Sequence, residues 1–530
     1  MSKVVRQMKQ ELAGISSKDV HRAVIFQGGG AIGAYAAGVY AVLYHWVKKD
    51  IVENENVFDV VAGTSAGAIN ACIIVSHVIH NKNNGKLRRW EGTVKKLLDF
   101  WYDTSSSPDF TKWRPFFSYS WPFFRDEGDW VSVWNKTNTG NKATGEAARR
   151  YYSAKEYLYS GAPRVFSVDT KETDDRFFDN FWPVTNEWYR YNNHDLKENI
   201  KGHAVFPIHT SPGDPRLLMV AVDVKQGEQV TFDSHSYGVD FAYDKEGNKH
   251  VHMVFNKGLM PEHVMASASV PVHYDYALVP HDYNYNKSES EREFEAMNAS
   301  DSTYRKFWDG GILSNTPLRE VIQAHQDSKK EKASLSPLKI YIVDVWPSVK
   351  HYKLATDHDG VINRKNDLIY QDKTFYEEKV THLISDFKSL VEELQTLAIK
   401  NNLQTDLSNI LNMYTPKSRE RNGKARKYSQ LIGTIFDIDI TRIERTPDDD
   451  EISFKWCDYS EQSINNLIIK GMEDTLKVLT EESLMRNNKD KIKVQDELKS
   501  FNDGVQNEKQ NLGERYLKLL VDKAISVMPT

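Results

Sequence analysis

Two short apolar runs, each closed by a glycine turn and followed by a longer apolar stretch, constrain the fold of this chain most strongly. Residues 23–26 precede a glycine-rich turn and a helix-like stretch over residues 31–48. Residues 57–62 precede a second glycine-framed turn and a helix-like stretch that runs to residue 79. Continuous apolar strands that alternate with helices are typical of a parallel sheet covered on both faces. The sequence therefore predicts an α/β fold with a mostly parallel sheet.

The same alternation continues to about residue 350 and then changes. Further apolar strands are predicted at 217–224 and 338–345, after which the chain becomes more charged and more helical. In that second part a helix is expected over 374–399 and a strand over 431–440. We therefore divide the chain into a polar lead-in, an α/β domain, a largely helical C-terminal extension and a helical tail, at residues 1–20, 21–347, 348–480 and 481–530.

Composition and charge exclude several classes of function. The 530 residues carry a net charge of −5 and are 40% hydrophobic, which suits a large buried core and gives no general attraction for nucleic acid. Cys72 and Cys457 are too few and too far apart for a disulfide scaffold or a cysteine-rich zinc site, and they fit a reducing compartment. No stretch reaches the roughly 20 apolar residues of a membrane span. We expect a cytoplasmic protein without a secretory leader, soluble or in peripheral contact with a membrane.

The turn after the second predicted strand has the sequence Gly63-Thr64-Ser65-Ala66-Gly67. A G-x-S-x-G between a strand and a helix makes a sharp turn that exposes the serine hydroxyl above the sheet, over the N-terminus of the following helix. Gly63 and Gly67 leave room for that turn. The alternative is a tight turn that contains a serine by chance, and the strand-turn-helix context argues against it. Ser65 is therefore the candidate nucleophile.

The turn after the first predicted strand, residues 28–33 (GGGAIG), fits two functions. It matches the G-x-G-x-x-G fingerprint of dinucleotide-binding folds, but such a fold needs an acidic residue at the end of the second strand, and none is present there. Consecutive glycines can instead direct backbone N–H groups toward a developing oxyanion, each donor being worth about 3 kcal/mol. We favour an oxyanion hole formed by Gly28, Gly29 and Gly30, with Gly33 completing the motif.

The third motif is Trp308-Asp309-Gly310-Gly311. An Asp-Gly-Gly run is also an ordinary turn. A serine nucleophile with a glycine oxyanion hole needs a base, however, and the other two motifs contain none. Asp309 is therefore the candidate base, with Gly310 and Gly311 shaping its turn.

Together, and in this order, the three motifs resemble those of the patatin-like phospholipase family. That family has a G-G-G-x-[R/K]-G oxyanion loop, a G-x-S-x-G nucleophile turn and a D-G-[G/A] aspartate turn, as at residues 28–33, 63–67 and 309–311 here. Residues 266–271 (ASASVP) resemble the helix and proline that precede the aspartate in the family. The resemblance covers about residues 21–347.

The resemblance implies a three-layer α/β/α core and hydrolysis of a carboxylic ester in a lipid or another acyl-ester substrate. It implies a Ser-Asp dyad in which Asp309 takes the Ser65 proton directly and later activates the water that releases the acyl group. It implies no metal and no cofactor. Residues 358–369 resemble the extension of a larger patatin-like subgroup. One departure is Ile32, which stands where many members carry Arg or Lys, so the loop keeps its N–H donors and lacks that charge.

Two alternatives remain open from the sequence. A Ser-His-Asp triad would need a histidine, and His263 and His273 flank residues 266–271, although histidines near a turn are more often structural. Alternatively, the chain is a catalytically inactive lipid-binding or scaffold protein, although such a protein has no physical need for both Ser65 and Asp309. The head group, the acyl length, the sn-position and the oligomeric state are not determined by the sequence.

Three further segments have unusual composition. The aromatic-rich residues 103–134 are expected to pack in the core, with a lid or a membrane-facing rim as the alternative. Residues 281–303 are polar and are expected to form a surface loop. Residues 416–428 form a basic loop that is either a solvated face or a contact for anionic lipid head groups, at about 1 kcal/mol per charge. The helical tail is expected to pack back on the domain.

Overall fold

The structure is a computed structural model, and it describes residues 20–49, 51, 55–107, 145–168, 189–235, 239–243, 249–255, 258–281, 287, 289–297, 300, 303–327, 336–347, 358–419, 424–429, 437–448 and 450–486. Nearly all of the aromatic-rich segment 103–134, and most of the tail 481–530, lie outside the described residues. The predictions for those two segments stay predictions.

The strands of the described residues are β1 (His21–Phe26), β2 (Val60–Thr64), β3 (Ser167–Val168), β4 (Tyr191–Asn192), β5 (Arg216–Asp223), β6 (Glu228–Asp233), β7 (Val239–Tyr243), β8 (Lys249–Phe255), β9 (Ala277–Pro280), β10 (Tyr304–Asp309), β11 (Leu338–Asp344), β12 (Tyr414–Arg419), β13 (Ala425–Lys427) and β14 (Ile438–Glu444).

The α-helices are α1 (Ala34–Lys48), α2 (Ala66–Asn83), α3 (Thr93–Thr104), α4 (Gly145–Ser160), α5 (His194–His203), α6 (Pro261–Ala268), α7 (Glu289–Met297), α8 (Leu318–Asp327), α9 (His358–Tyr370), α10 (Phe375–Lys400), α11 (Gln404–Leu411) and α12 (Glu461–Arg486). Short 3-10 helices lie at Gly30–Gly33, Gly310–Ile312 and Lys455–Cys457.

Ten of the described strands form one twisted sheet in the order β14-β11-β1-β2-β5-β6-β8-β7, with β10 beside β5 and β9 beside β10. The first five strands of that order run parallel to one another. Antiparallel pairs appear from β5 onward, where β6 and β10 both run against it. The two glycine motifs therefore follow adjacent parallel strands, β1 and β2, and lie at the same edge of the sheet.

The central strands read as continuous apolar runs because both faces of the sheet are covered. In β1, Val24 and Phe26 belong to the larger core, beneath α1 and α2, while Ala23 and Ile25 belong to a second core on the opposite face. Helix α8 packs on that second face through Leu318 and its neighbours. This alternation makes three layers, helix, sheet and helix, and the predicted α/β class is confirmed.

The C-terminal extension adds directly to this core. Strand β14 pairs in parallel with β11 over seven residues and so becomes an edge strand of the main sheet. Helix α12 packs closely on α1, since a Cβ added to Gly38 would lie 1.9 Å from the Ile468 carbonyl oxygen. The same holds for Gly471, where an added Cβ would lie 2.1 Å from the Tyr35 carbonyl oxygen. The extension is largely helical, as predicted.

Two surface segments differ from the prediction. Residues 281–303 were expected to be a loop, but they contain helix α7, whose sequence ESEREFEAM is rich in strong helix formers. Residues 416–428 were expected to be a basic loop, but they contain most of an antiparallel hairpin, β12 with β13. The strand expected at 431–440 lies at Ile438–Glu444, and residues 430–436 are outside the described part of the chain.

Within the described ranges, no helix combines the length and the apolar composition that crossing a bilayer requires.

Candidate active site

Ser65 occupies the sharp turn between β2 and α2. Its φ of 56° and ψ of −127° are strained for a residue with a side chain. The turn is closed so tightly that a Cβ on Gly67 would lie 2.0 Å from the Phe26 carbonyl oxygen, and one on Gly63 would lie 2.2 Å from the Gly67 carbonyl oxygen. These two glycines therefore permit the turn that presents the Ser65 hydroxyl at the N-terminus of α2.

The register of the sheet brings Asp309 to this serine. Thr64, the last residue of β2, pairs with Val220 of β5, and Asp309 pairs with the next residue, Ala221. Because β6 occupies the other edge of β5, strand β10 follows β2 along the same edge. Asp309 therefore lies directly beyond the end of β2, where its carboxylate is close enough to the Ser65 side chain for the serine to lower the pKa of Asp309.

Burial sets the basicity of Asp309. The residue is 5% exposed, and burial raises the pKa of its carboxyl from 3.8 to about 6. The hydrogen bonds from the Ser65 side chain and the Gly311 N–H oppose this increase. The Gly311 N–H lies 2.7 Å from Oδ1 of Asp309 and so fixes the carboxylate in its turn. A carboxylate of this kind is ionised at neutral pH and is a stronger base than an exposed aspartate.

The glycine-rich loop lies against Ser65. A Cβ added to Gly28 would be 2.7 Å from the Ser65 Cβ, so the loop approaches the serine as closely as backbone allows. The Gly28 N–H donates to Oδ1 of Asn315 at 3.0 Å. Among the described residues, no acceptor takes the N–H groups of Gly29 or Gly30, which precede the first turn of a 3-10 helix. Two N–H donors in the loop that contacts Ser65 through Gly28 are thus uncommitted.

Gly33 and Ile32 complete the loop motif on the core side. A Cβ on Gly33 would lie 2.8 Å from the Ala66 Cβ, so this glycine allows the loop to pack on the start of α2. Ile32 is 1% exposed and belongs to the larger hydrophobic core. The position at which many patatin-like sequences have Arg or Lys is therefore an apolar core position here.

Two polar residues that the sequence did not single out fix these loops. The Ser267 Oγ accepts the Ser65 N–H at 3.0 Å and donates to the Val220 carbonyl at 2.6 Å. Ser267 therefore links the turn at Ser65 to β5. Asn315 contacts Gly28 from the aspartate side. Ser267 lies within residues 266–271 and Asn315 follows the Asp309 motif by four residues, but their partners are distant in sequence, and only the fold shows them.

The C-terminal extension forms one wall of the site. Burial and the nearby Asp309 carboxylate raise the pKa of Tyr370, at the end of α9. The Trp456 carbonyl approaches Gly30 so closely that a Cβ there would lie 2.4 Å from its oxygen. Parts of the extension therefore contact both the oxyanion loop and the surroundings of Asp309.

The two candidate histidines are occupied elsewhere. His263 is buried, its Nδ1 accepts the Met260 N–H at 2.9 Å, and burial lowers its pKa to about 4. His273 packs against the Trp456 ring, 4.9 Å between centroids, and burial lowers its pKa to about 4 as well. In the part of the chain that the structure describes, no histidine forms a hydrogen bond with Ser65 or Asp309.

The described residues also contain no group of three or more histidine, cysteine or carboxylate side chains placed to hold a metal ion.

Comparison with known proteins adds to this geometry. The family model for patatin-like phospholipases matches residues 24–322, more than half of the 530 residues. The crystal structure of VipD from Legionella pneumophila is similar with a TM-score of 0.21 and 11% sequence identity, over 91% of this chain and 80% of that chain. That similarity is too low to transfer the roles of residues. Curated protein sequences give no match.

Proposed function

The chain belongs to the patatin-like phospholipase family, whose activity is the hydrolysis of lipid acyl esters, and from that premise we propose that Ser65 is its nucleophile and Asp309 its general base. The register of the sheet, which puts the buried Asp309 carboxylate beside Ser65 at the end of β2, carries this proposal. The substrate class is a lipid or another carboxylic acyl ester.

The reaction would proceed in two halves. Ser65 Oγ attacks the ester carbonyl carbon while Asp309 takes the hydroxyl proton, and the leaving alcohol takes that proton as the ester C–O bond breaks. In the second half, Asp309 removes a proton from water, and the hydroxide attacks the acyl carbon. The proton then returns to Ser65 Oγ as the acyl group leaves. A carboxylate whose pKa is about 6 suits both directions of proton transfer near neutral pH.

Backbone groups would stabilise the oxyanion. The sequence analysis assigned this role to Gly28, Gly29 and Gly30. Because the Gly28 N–H donates to Asn315, we assign the donors to Gly29 and Gly30, and Gly28 provides the close approach to Ser65. The N-terminus of α2 adds favourable partial positive charge at the same point.

Replacing the nucleophile tests the proposal. Ser65→Ala should abolish hydrolysis of p-nitrophenyl acyl esters and leave the thermal unfolding midpoint close to the wild-type value. Ser76→Ala is a matched control, since Ser76 is a buried serine within α2 whose hydroxyl donates to the Val205 carbonyl and accepts the Val205 N–H. Unchanged turnover in folded Ser65→Ala would contradict the proposal and favour an idle lipid-binding protein with this fold.

The organisation along the chain is part of the proposal. Residues 21–347 would form the catalytic domain and residues 348–480 the extension, which adds β14 and the start of α12 to the domain's sheet and helices. Residues 1–20 and 481–530 would be terminal segments.

We also propose peripheral contact with an anionic membrane surface through the β12–β13 hairpin. Its basic residues include Lys417, Lys424, Arg426 and Lys427. Exposed Met413 and Tyr414 lie at its base, and apolar and aromatic side chains beside cations are typical of an interfacial contact. Co-sedimentation should be stronger with phosphatidylserine-containing vesicles than with phosphatidylcholine vesicles, and glutamine at the four positions should remove the difference. Equal sedimentation of the wild-type protein and the glutamine variant with phosphatidylserine-containing vesicles would contradict this contact.

A further inference from the structure

The side chain of Asn315 joins three separate segments at the edge of the active site. Its Oδ1 accepts the Gly28 N–H at 3.0 Å, and its Nδ2 donates to the Gly28 carbonyl at 3.3 Å. The same Nδ2 donates to the Tyr370 carbonyl at 2.8 Å. One amide group thereby connects the oxyanion loop, the loop that follows Asp309 and the end of α9 in the C-terminal extension.

These contacts allow only one orientation of the amide. A backbone N–H can only donate, so it must face the oxygen of the side chain, and backbone carbonyls can only accept, so they must face its nitrogen. The Tyr370 carbonyl therefore keeps Nδ2 away from the Gly28 N–H. The orientation that holds Gly28 depends on a residue outside the family-matched segment 24–322.

Other side chains support the same arrangement. The indole Nε1 of Trp346 donates to the Gly28 carbonyl at 2.7 Å. Gln27 donates to the Tyr370 carbonyl at 3.0 Å and accepts the Val345 N–H at 2.9 Å. Gly28 is consequently held by both its N–H and its carbonyl, which fixes the peptide groups that lead into Gly29 and Gly30.

We propose that Asn315 is a positioning residue that fixes the oxyanion loop, and that the Tyr370 carbonyl of the C-terminal extension orients it. This inference rests on the proposed function of Ser65, Asp309 and the glycine loop. The Asn315 side chain bonds to Gly28 and Tyr370 rather than to Ser65 or Asp309, and it acts by keeping the Gly29 and Gly30 donors in place. A misplacement of about 1 Å in such a site can cost roughly 10²-fold in rate.

Two substitutions separate this role from general stability. Asn315→Ala removes all three hydrogen bonds. Asn315→Asp keeps an acceptor for the Gly28 N–H but places a second oxygen against the carbonyls of Gly28 and Tyr370. Asn81→Ala is the matched control, because the Nδ2 of buried Asn81 also bridges two backbone carbonyls, those of Arg89 at 2.9 Å and Glu91 at 3.1 Å.

The measurement is kcat and KM for p-nitrophenyl butyrate, expressed per active site, with active sites counted by fluorophosphonate labelling to completion. Both Asn315 variants should lose about 10- to 100-fold in kcat with little change in KM, because the oxyanion exists only in the transition state. A purely structural role would lower the number of labelled sites and leave kcat per site unchanged. Asn81→Ala should at most lower the number of labelled sites, with kcat per site unchanged.

Wild-type kcat per labelled site in Asn315→Ala or in Asn315→Asp would overturn the inference while leaving the proposed function intact. An equal loss of kcat per site in Asn81→Ala would also overturn it, because the effect would then not depend on the site. A wild-type protein that neither hydrolyses the ester nor takes up the probe would overturn both the inference and the proposed function.

Discussion

Helix α1 of the α/β core and helix α10 of the C-terminal extension are built very differently. In α1, 12 of 15 residues are buried, and they pack against the sheet, α2 and α12. In α10, 2 of 26 residues are buried, Lys388 and Val391, and many leucine, isoleucine and phenylalanine side chains are exposed. The core is thus held by apolar burial, whereas α10 contributes little to any apolar core among the described residues.

The extension meets the core through apolar residues of α12, such as Ile468 and Met472, which belong to the larger hydrophobic core. Beside the active site it instead carries buried charged residues, which pair with one another within the extension and also reach the core. Lys455 is 2.6 Å from Asp367 of α9 and 2.6 Å from Glu451, and its ammonium lies 5.4 Å from the Trp346 ring centroid. Arg445 binds Glu451 and donates to the Val345 carbonyl at 2.8 Å. Apolar packing thus places Ser65 and Asp309. Buried ion pairs fix the segments of the extension, and its polar contacts with Gln27, Asn315 and Val345 hold the loops beside the site. The predictions below test that division of roles.

The largest effect is expected inside the core. Asp309→Asn should lower kcat by roughly 10²- to 10⁴-fold, because an amide of the same size cannot accept the Ser65 proton. His263→Ala and His273→Ala serve as controls and should each retain most of the activity. They are needed because a carboxylate whose pKa is about 6 titrates close to a histidine, so a pH profile alone does not separate the two bases. A loss in either histidine variant as large as that in Asp309→Asn would support a triad.

The next effect is expected among the buried charges of the extension. Lys455→Met leaves Asp367 and Glu451 without one buried partner, and breaking a buried ion pair in this way typically costs about 3–5 kcal/mol in the free energy of unfolding. Urea denaturation measures this cost. Lys95→Met is the control, since the exposed Lys95–Asp99 pair should contribute less than about 1 kcal/mol. Equal, small losses in both variants would show that the extension is not held by its buried charges.

A smaller effect should depend on pH. The folded-state pKa of Asp309, about 6, lies above the unfolded value of about 3.9. The folded state therefore binds this proton more tightly, and the stabilisation is complete below pH about 4 and is lost as the pH rises to about 6. Asp309→Asn cannot ionise, so it should be more stable than wild type at pH 8 by up to about 3 kcal/mol.

Urea denaturation of both proteins at pH 8 and pH 4.5 checks this expectation. The difference between the two proteins should shrink at the lower pH. A difference that is the same at both pH values would mean that burial of the Asp309 charge is not its cause.

The last prediction is that removing metal ions has no effect on the rate of hydrolysis. Because the proposed reaction uses only side chains and backbone N–H groups, a chelator such as EDTA should leave the hydrolysis of p-nitrophenyl butyrate unchanged. The check is the initial rate with EDTA and after addition of excess calcium. A large loss that calcium restores would place a metal ion in the reaction.

The apolar core was predictable because its strands are buried on both faces. β1, β2, β5 and β11 appear in the sequence as continuous apolar runs, and the glycine turns mark two of their ends. Asp309 was assigned as the base for want of another candidate and from the family resemblance. That it lies beside Ser65 depends on the pairing of β10 with β5, which no local pattern reveals.

The polar contacts that hold the loops around the site were not predictable from the sequence. Asn315 and Ser267 act on residues more than 200 positions away in sequence, so neither periodicity nor spacing identifies them. Tyr370 and Trp456 act through their carbonyl groups, which every residue has. Helix α7 was missed because its polar sequence resembles a loop unless helix propensity is weighed above polarity.

Labelling with a fluorophosphonate tests the central claim most directly. The Ser65 oxygen would attack phosphorus and expel fluoride, while Asp309 takes the hydroxyl proton, and the stable phosphonyl-serine would be located by peptide mass spectrometry. The account predicts that Ser65 is the residue modified in the native protein, that labelling and esterase activity disappear together, and that Asp309→Asn is labelled far more slowly. Modification of a different serine with loss of activity, or full activity after Ser65 is labelled, would contradict it.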